Sequence, residues 1–329
     1  MRVFVLGAGA SFHVGYPLTR DLCPKLIEWA SRNESPNQLY WPDRDSLSRL
    51  GSLDDIEELV SGVEKLSKPG PILEGLRNAI SGYFDSVRAN DAALYRQLAQ
   101  AVVQPADVLI SFNYDVSLDR ELRRAEKWNP GTGYGFDVGV KGLPPSATTL
   151  LKLHGSTNWM DLLFDGLRGG QTSVGGGDAH GPRPVLLPQE FEFLECPGIT
   201  DPRFSGGGMT RNGSMILPSR DKRFYVSTSS NPGERKDFWS LLWGQAAKAL
   251  GEADEIVIVG YSLPSADGHA RRLVLDERNR DAKLTICCGS DNSRLAAEFV
   301  QAGFARQRVV TDFPYFEQWI AAQCYEAVL

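Results

Sequence analysis

Short apolar runs of β-formers alternate along the chain with longer stretches of helical periodicity. The first run is Val3-Phe4-Val5-Leu6, and it opens at once into Gly7-Ala8-Gly9-Ala10-Ser11. An apolar strand that ends in closely spaced glycines lets backbone N–H groups approach a phosphate without a Cβ in the way. Strand, glycine turn and helix make the first βα unit of a nucleotide-binding α/β sheet. A tight turn with no ligand is the competing account. Two commoner motifs are absent: Phe12 stands where a G-x-G-x-x-G fingerprint needs its third glycine, and Gly-Lys-Ser/Thr occurs nowhere.

After this turn, Leu22, Leu26, Ile27 and Ala30 share one face and predict a helix over 21–34. Residues 35–52 are rich in Pro, Asn, Asp and Ser and read as loop. Ile56, Leu59, Val60 and Val63 predict a helix capped by Ser52 or Asp54 and broken at Pro69-Gly70-Pro71. Helical patterns return at 72–89 and 91–103. The second strand, 107–112, therefore comes far later than the roughly 30 residues of a plain Rossmann unit. A helical layer occupies the interval.

Further strands are expected at 150–153, 159–164, 215–218, 255–259, 283–288 and 309–310. Helices are expected at 117–126, 235–250, 266–276, 293–302 and 314–326. In the second of these, Phe238, Leu241, Leu242, Ala246 and Leu250 are expected to face inward. Residues 165–214 are rich in Gly, Pro and Ser, with glycine triplets at 175–177 and 206–208; a loop of that length is functional or disordered. The expected organisation is a Rossmann-like core from 1–20, 105–165 and 215–312. An inserted helical module spans 21–104, a Gly-rich flexible insertion spans 166–214, and a C-terminal helix spans 313–329.

Composition narrows the class. The chain has 329 residues, enough to bury roughly three-quarters of its unfolded surface. Its net charge of −6 argues against broad nucleic-acid binding. No apolar run reaches the roughly 18 residues of a membrane helix, and 1–6 is a strand pattern without the features of a signal peptide. The expected location is the cytoplasm. The five cysteines, Cys23, Cys196, Cys287, Cys288 and Cys324, contain no C-x-x-C pair. They build neither a disulfide framework nor a zinc knuckle, and Cys287 and Cys288 read as buried and inert. His13, His180 and His269 lack a paired acid or cysteine at ligand spacing, so no metal is expected.

Candidate chemistry gathers at strand ends. Besides the first glycine turn, strands end in Phe112-Asn113-Tyr114-Asp115, His154-Gly155-Ser156, Gly260-Tyr261-Ser262 and Gly289-Ser290-Asp291. In open α/β sheets ligands bind beyond the carboxyl ends of the strands. Asn113 offers a carbonyl and an amide to hold a water or a hydroxyl, and His154 is a candidate base because imidazole titrates near neutrality. Other roles are open: an Asx turn at Asn113, a structural histidine at 154, and helix caps at Asp115 and at Ser290 or Asp291. Arg20 is a candidate phosphate or carboxylate partner, with solvated surface charge as the favoured account.

Taken together and in order, these motifs resemble the sirtuin superfamily, and specifically the sirtuin-like proteins of bacterial antiphage defence. Gly7-Ala8-Gly9-Ala10-Ser11, Gly15-Tyr16-Pro17, Phe112-Asn113-Tyr114-Asp115, Leu153-His154-Gly155-Ser156 and Val259-Gly260-Tyr261-Ser262-Leu263-Pro264-x-x-Asp267 carry the resemblance. It spans the chain from Val3 to about Asp291. The resemblance implies a Rossmann-like, mostly parallel sheet that binds NAD as a substrate and cleaves its nicotinamide–ribose bond. It implies catalytic roles for Asn113 and His154, with His154 removing a proton from ribose or water. Asp115 would hold the nicotinamide carboxamide. Gly7, Ala8, Gly9, Ser11, Gly260 and Ser262 would line the cofactor, and Ser290 and Asp291 its adenosine end.

Departures from the deacylating pattern bear on subclass. The four zinc cysteines are missing, Phe112 replaces the Gln before Asn113, and Gly15-Tyr16-Pro17-Leu18-Thr19-Arg20 lacks the acid and aromatic of the family loop. Water as acceptor, giving nicotinamide and ADP-ribose, is the economical reading; a cyclised product is the alternative. The expected role is a defence effector that depletes NAD, restrained by homo-oligomerisation or a regulatory partner protein. A protein deacylase or ADP-ribosyltransferase, and a non-catalytic NAD or ADP-ribose-binding module, are the competing readings.

Overall fold

The computed structural model describes residues 1–32, 44–67, 69–87, 91–136, 145–164, 209–220 and 232–326. His180, Cys196 and most of the expected Gly-rich insertion lie outside the described residues.

The strands are β1 (Arg2–Leu6), β2 (Val108–Ser111), β3 (Thr149–Lys152), β4 (Gly155–Phe164), β5 (Met209–Met215), β6 (Glu255–Val259), β7 (Lys283–Cys287) and β8 (Val309–Val310). The α-helices are α1 (Thr19–Arg32), α2 (Arg44–Ser48), α3 (Ile56–Glu64), α4 (Gly70–Ser86), α5 (Ala93–Gln97), α6 (Ser117–Arg124), α7 (Pro232–Glu252), α8 (Gly268–Asp276), α9 (Asn292–Gln301) and α10 (Phe316–Glu326). The chain divides into two compact units. One comprises Met1–Leu18, Arg88–His154 and Leu241–Leu329; the other comprises Thr19–Val87 and Gly155–Ser240.

The first unit holds a six-stranded sheet in the order β3-β2-β1-β6-β7-β8. Every pair in it is parallel. Counting only these six strands, the order is 3-2-1-4-5-6, that of the Rossmann fold. Parallel strands covered on both faces need continuous apolar runs. Accordingly Val3, Phe4, Val5 and Leu6 are wholly buried, as are Val257 and Ile258. Trp319 of α10 meets Phe4 edge-on, with ring centroids 6.0 Å apart.

The register aligns the strand ends. Leu6 pairs with both Ser111 and Val259, Ser111 with Lys152, and Val259 with Cys287. The ladder continues one step further: Gly7 N–H donates to Val259 O, Phe112 to Leu6, Leu153 to Ser111, and Gly260 to Cys287. Asn113 and His154 therefore both lie two residues past the paired Ser111 and Lys152, on adjacent strands.

The second unit contains α1, α3, α4 and the antiparallel pair β4–β5. The strand expected at 215–218 is instead the end of β5, followed by buried Ile216 and Leu217. Asp55 caps α3, not Ser52 or Asp54: its Oδ1 accepts from Glu57 N at 2.9 Å and Glu58 N at 3.1 Å. Ser52 is one turn too early and accepts from Asp54 N instead. Helix α4 begins at Gly70 and runs through Pro71, because the first turn needs no N–H from proline. Leu241 of α7 is 50% exposed rather than inward, while Leu242, Ala246 and Leu250 are wholly buried.

Candidate active site

The strand order reverses between β1 and β6, the point where an open α/β sheet leaves a crevice. There the two glycine turns lock into each other. Gly9 N–H donates to Gly260 O at 3.0 Å, and Gly7 N–H to Val259 O at 3.0 Å. A Cβ on Gly7 would stand 2.6 Å from Gly260 O, and one on Gly260, whose φ is +58°, would stand 2.3 Å from Ala10 N. The glycines are required by this close approach of two backbones. The Gly7 and Gly9 amides are thus engaged within the sheet; the expected cradle of free N–H groups does not include them.

Next along the edge, Asn113 turns toward this junction. Its Nδ2 donates to Gly7 O at 2.8 Å and to Ser11 Oγ at 2.9 Å. A backbone carbonyl only accepts, so the contact with Gly7 fixes the amide orientation. Ser11 Oγ in turn donates to Asp115 Oδ2 at 2.6 Å and meets Tyr95 Oη at 2.8 Å. One hydroxyl thereby uses its single proton and both lone pairs. Burial of Tyr95 keeps its phenol well above the ordinary range, with the Asp115 charge acting the same way. Asp115 Oδ1 accepts from Ser117 N at 3.0 Å, at the start of α6. Asp115 thus has the local contact at the start of α6 that was its alternative, together with the bond from Ser11, whereas the side-chain contacts of Asn113 are cross-strand.

His154 lies two residues beyond β3 and is 9% exposed. Its Nε2 lies 3.2 Å from Asp267 Oδ2, and Asp267 is 3% exposed. Aromatic rings surround the imidazole: Phe112 at 5.0 Å, and Tyr114 and Trp243 at 6.4 Å between centroids. Phe112 also stacks on Tyr261 at 4.3 Å. Two residues before His154, Lys152 is almost wholly buried. Its Nζ donates to Asp115 O at 2.6 Å and lies 3.4 Å from Asp119 Oδ2, whose Oδ1 accepts from Tyr134 Oη at 2.7 Å. Burial raises the Asp119 carboxyl, while Lys152 acts to lower it. This buried pair anchors the loop after β2 to β3 beneath the site.

No family model matches the chain, and no curated protein matches it. Among solved structures, the chain is similar to a Sir2 homologue–NAD complex, at 13% identity and TM-score 0.43, over 99% of this chain and 89% of that one. A mutant Sir2 homologue–ADP ribose complex follows at 14% identity and TM-score 0.44, over 99% and 91%. A Sir2–p53 peptide–NAD+ structure is 13% identical with TM-score 0.34, over 87% and 80%. These are Sir2 structures. Identities this low leave the chemistry of the site to this chain's own residues.

The remaining expected residues sit further out. Ser262 is exposed, and its carbonyl accepts from Arg294 Nη2 at 2.8 Å. Ser290 is exposed, and Asp291 pairs with the same Arg294 at 3.2 Å. Cys287 and Cys288 are free, with burial pushing both thiols up, that of Cys288 to about 11. Cys288 is half-buried, not fully so. Arg20 is 80% exposed beside Asp21, as surface charge would be. His13 packs against Tyr95 with centroids 4.8 Å apart. Among the described residues no cluster of three or more His, Cys, Asp or Glu could hold a metal ion, and no helix is long and apolar enough to cross a membrane.

Two partners were not among the expected site residues. Tyr95 comes from the helical stretch before β2, and nothing in its spacing marks it. Asp267 does have a signal, since it closes the Gly260–Asp267 motif five residues after Ser262.

Proposed function

We propose that this chain is a sirtuin-like NAD hydrolase. It cleaves the nicotinamide–ribose bond and releases nicotinamide and ADP-ribose. The observation that supports this reading best is the placement of Asn113 and His154 at one level past adjacent strands, beside the junction of Gly7, Gly9 and Gly260. With both Nδ2 protons of Asn113 donated inward, its Oδ1 is the atom left to hold a hydroxyl or water.

In this mechanism the C–N bond electrons leave with nicotinamide, which neutralises its pyridinium nitrogen. An oxocarbenium-like ribose remains. Water held by Asn113 Oδ1 adds to the anomeric carbon, and His154 takes the proton that the water loses. The sum is NAD+ and water giving ADP-ribose, nicotinamide and a proton. Asp115 holds the nicotinamide carboxamide, Ser262 lines the pyrophosphate, and Ser290 and Asp291 line the adenosine end. As a cellular role we propose depletion of NAD in antiphage defence, restrained by self-assembly or a partner protein.

The test is mass spectrometry of NAD incubated with the protein at several concentrations. Nicotinamide and linear ADP-ribose are expected to appear together; a cyclic product would reassign the acceptor. Activity unchanged by Asn113→Ala or His154→Ala would reject the site. One observation favours a second reading, a module that binds NAD or ADP-ribose without turnover. The Asn113 amide, the Ser11 hydroxyl and the Asp115 carboxylate are largely engaged with one another. Tight binding without nicotinamide release at every concentration would select it.

A further inference from the structure

The turn that follows β6 is built more rigidly than a loop requires. Leu263 is 1% exposed and has φ +51°, a left-handed conformation that a bulky side chain rarely adopts. Its carbonyl accepts from Arg271 Nη1, and Arg271 pairs with Glu298 at 2.8 Å. Asp267 N–H donates to Pro264 O at 3.0 Å, and Arg271 N–H to Asp267 O at 2.9 Å. Backbone strain of this kind persists only where the surroundings over-determine it, and it gathers at functional sites.

What the turn holds in place is one carboxylate. Asp267 Oδ1 accepts from Ala270 N at 3.2 Å and caps α8. A helix N-terminus favours a negative charge at that position. With Oδ1 fixed, Oδ2 faces His154 Nε2 at 3.2 Å. Both side chains are buried, and rings of Phe112, Tyr114 and Trp243 wall the imidazole. A carboxylate only accepts, so the neutral imidazole beside it carries its proton on Nε2 and its lone pair on Nδ1.

The geometry points to Asp267 as the positioning residue of His154, holding the imidazole in the Nε2–H tautomer and in the orientation that lets Nδ1 act as the base. This rests on the NAD-hydrolase reading for the word base; the tautomer itself does not depend on turnover. In the reaction the proton from water goes to Nδ1, and Asp267 stays ionised and stabilises the imidazolium that forms.

Two variants separate this role from capping, because Asn and Ser cap helices about as well as Asp. Asp267→Asn and Asp267→Ser are expected to keep the wild-type unfolding midpoint within a few degrees. Nicotinamide release should fall about 100-fold in kcat, with KM for NAD little changed. Independently, 15N spectra of the full-length protein should show His154 as the Nε2–H tautomer in wild type and not in Asp267→Asn. Wild-type kcat in both variants, or an Nδ1–H tautomer in the wild-type protein, overturns the inference. If the wild-type protein releases no nicotinamide, the hydrolase reading fails, and the spectra alone still decide whether Asp267 sets the tautomer.

Discussion

The two halves of the strand-end row solve different problems. At the β1–β6 junction the contacts are backbone to backbone, and the residues are glycines because two turns pass within a hydrogen bond of each other. At the β2–β3 end the contacts are made by side chains, to one another and to the Gly7 carbonyl. The first arrangement is steric and tolerates no Cβ. The second is chemical and tolerates substitution at the expense of orientation. Glycine-rich strand ends are commonly credited to phosphate binding, yet Gly7 and Gly9 here are explained by packing before any ligand is considered.

The sharpest way to break this contrast is Gly260→Ala. A Cβ there meets Ala10 N at 2.3 Å on a left-handed backbone, so denaturant titration should show a loss of about 3 kcal/mol or more. A stable Gly260→Ala protein would mean that the turns can separate. Asn113→Ala should act in the opposite sense. Turnover is expected to fall about 100-fold, while stability drops by only about 1 kcal/mol for the inward hydrogen bonds. An equally large loss of stability would place Asn113 with the glycines as a structural residue.

Tyr95→Phe removes the hydroxyl that meets Ser11 Oγ and also interacts with the Asn113 side chain. It should lower stability by about 1 kcal/mol and reduce kcat less than Asn113→Ala does. His13 reports on the same corner through pH. Burial lowers its pKa below 6.5, although Ala10, Asp115 and Glu317 act to raise it. The folded protein therefore takes up this proton less readily than the unfolded chain. Its contribution is complete above pH 6.5 and is lost as pH falls through the depressed folded value. The thermal midpoint should decline over that window, and His13→Phe should flatten the decline. The smallest effect is expected at the rim. Ser290→Ala, at an exposed position, should change stability by no more than about 0.5 kcal/mol, so any effect on NAD affinity there would be a contact with ligand.

Much of the fold was legible along the chain. Val3–Leu6, Glu255–Val259 and Lys283–Cys287 read as strands because buried parallel strands must be apolar throughout. Helix α3 read correctly in its apolar period but not in its cap, since Ser52, Asp54 and Asp55 all have suitable side chains and only the chain's path selects one. Leu241 failed for a similar reason: a helical period fixes spacing, but the width of the buried stripe depends on what packs against it.

The sequence by itself determined the residue types at the strand ends, because hydropathy and turn chemistry act within a few residues and leave a local trace. Only the tertiary structure decided which of those residues meet. That Asn113 reaches Gly7 and Ser11, that Tyr95 joins them, and that Asp267 rather than another acid faces His154 all depend on strand order and register. Those are contacts between residues 84 or more positions apart, set by how the sheet closes, and no local pattern encodes a partner so far along the chain.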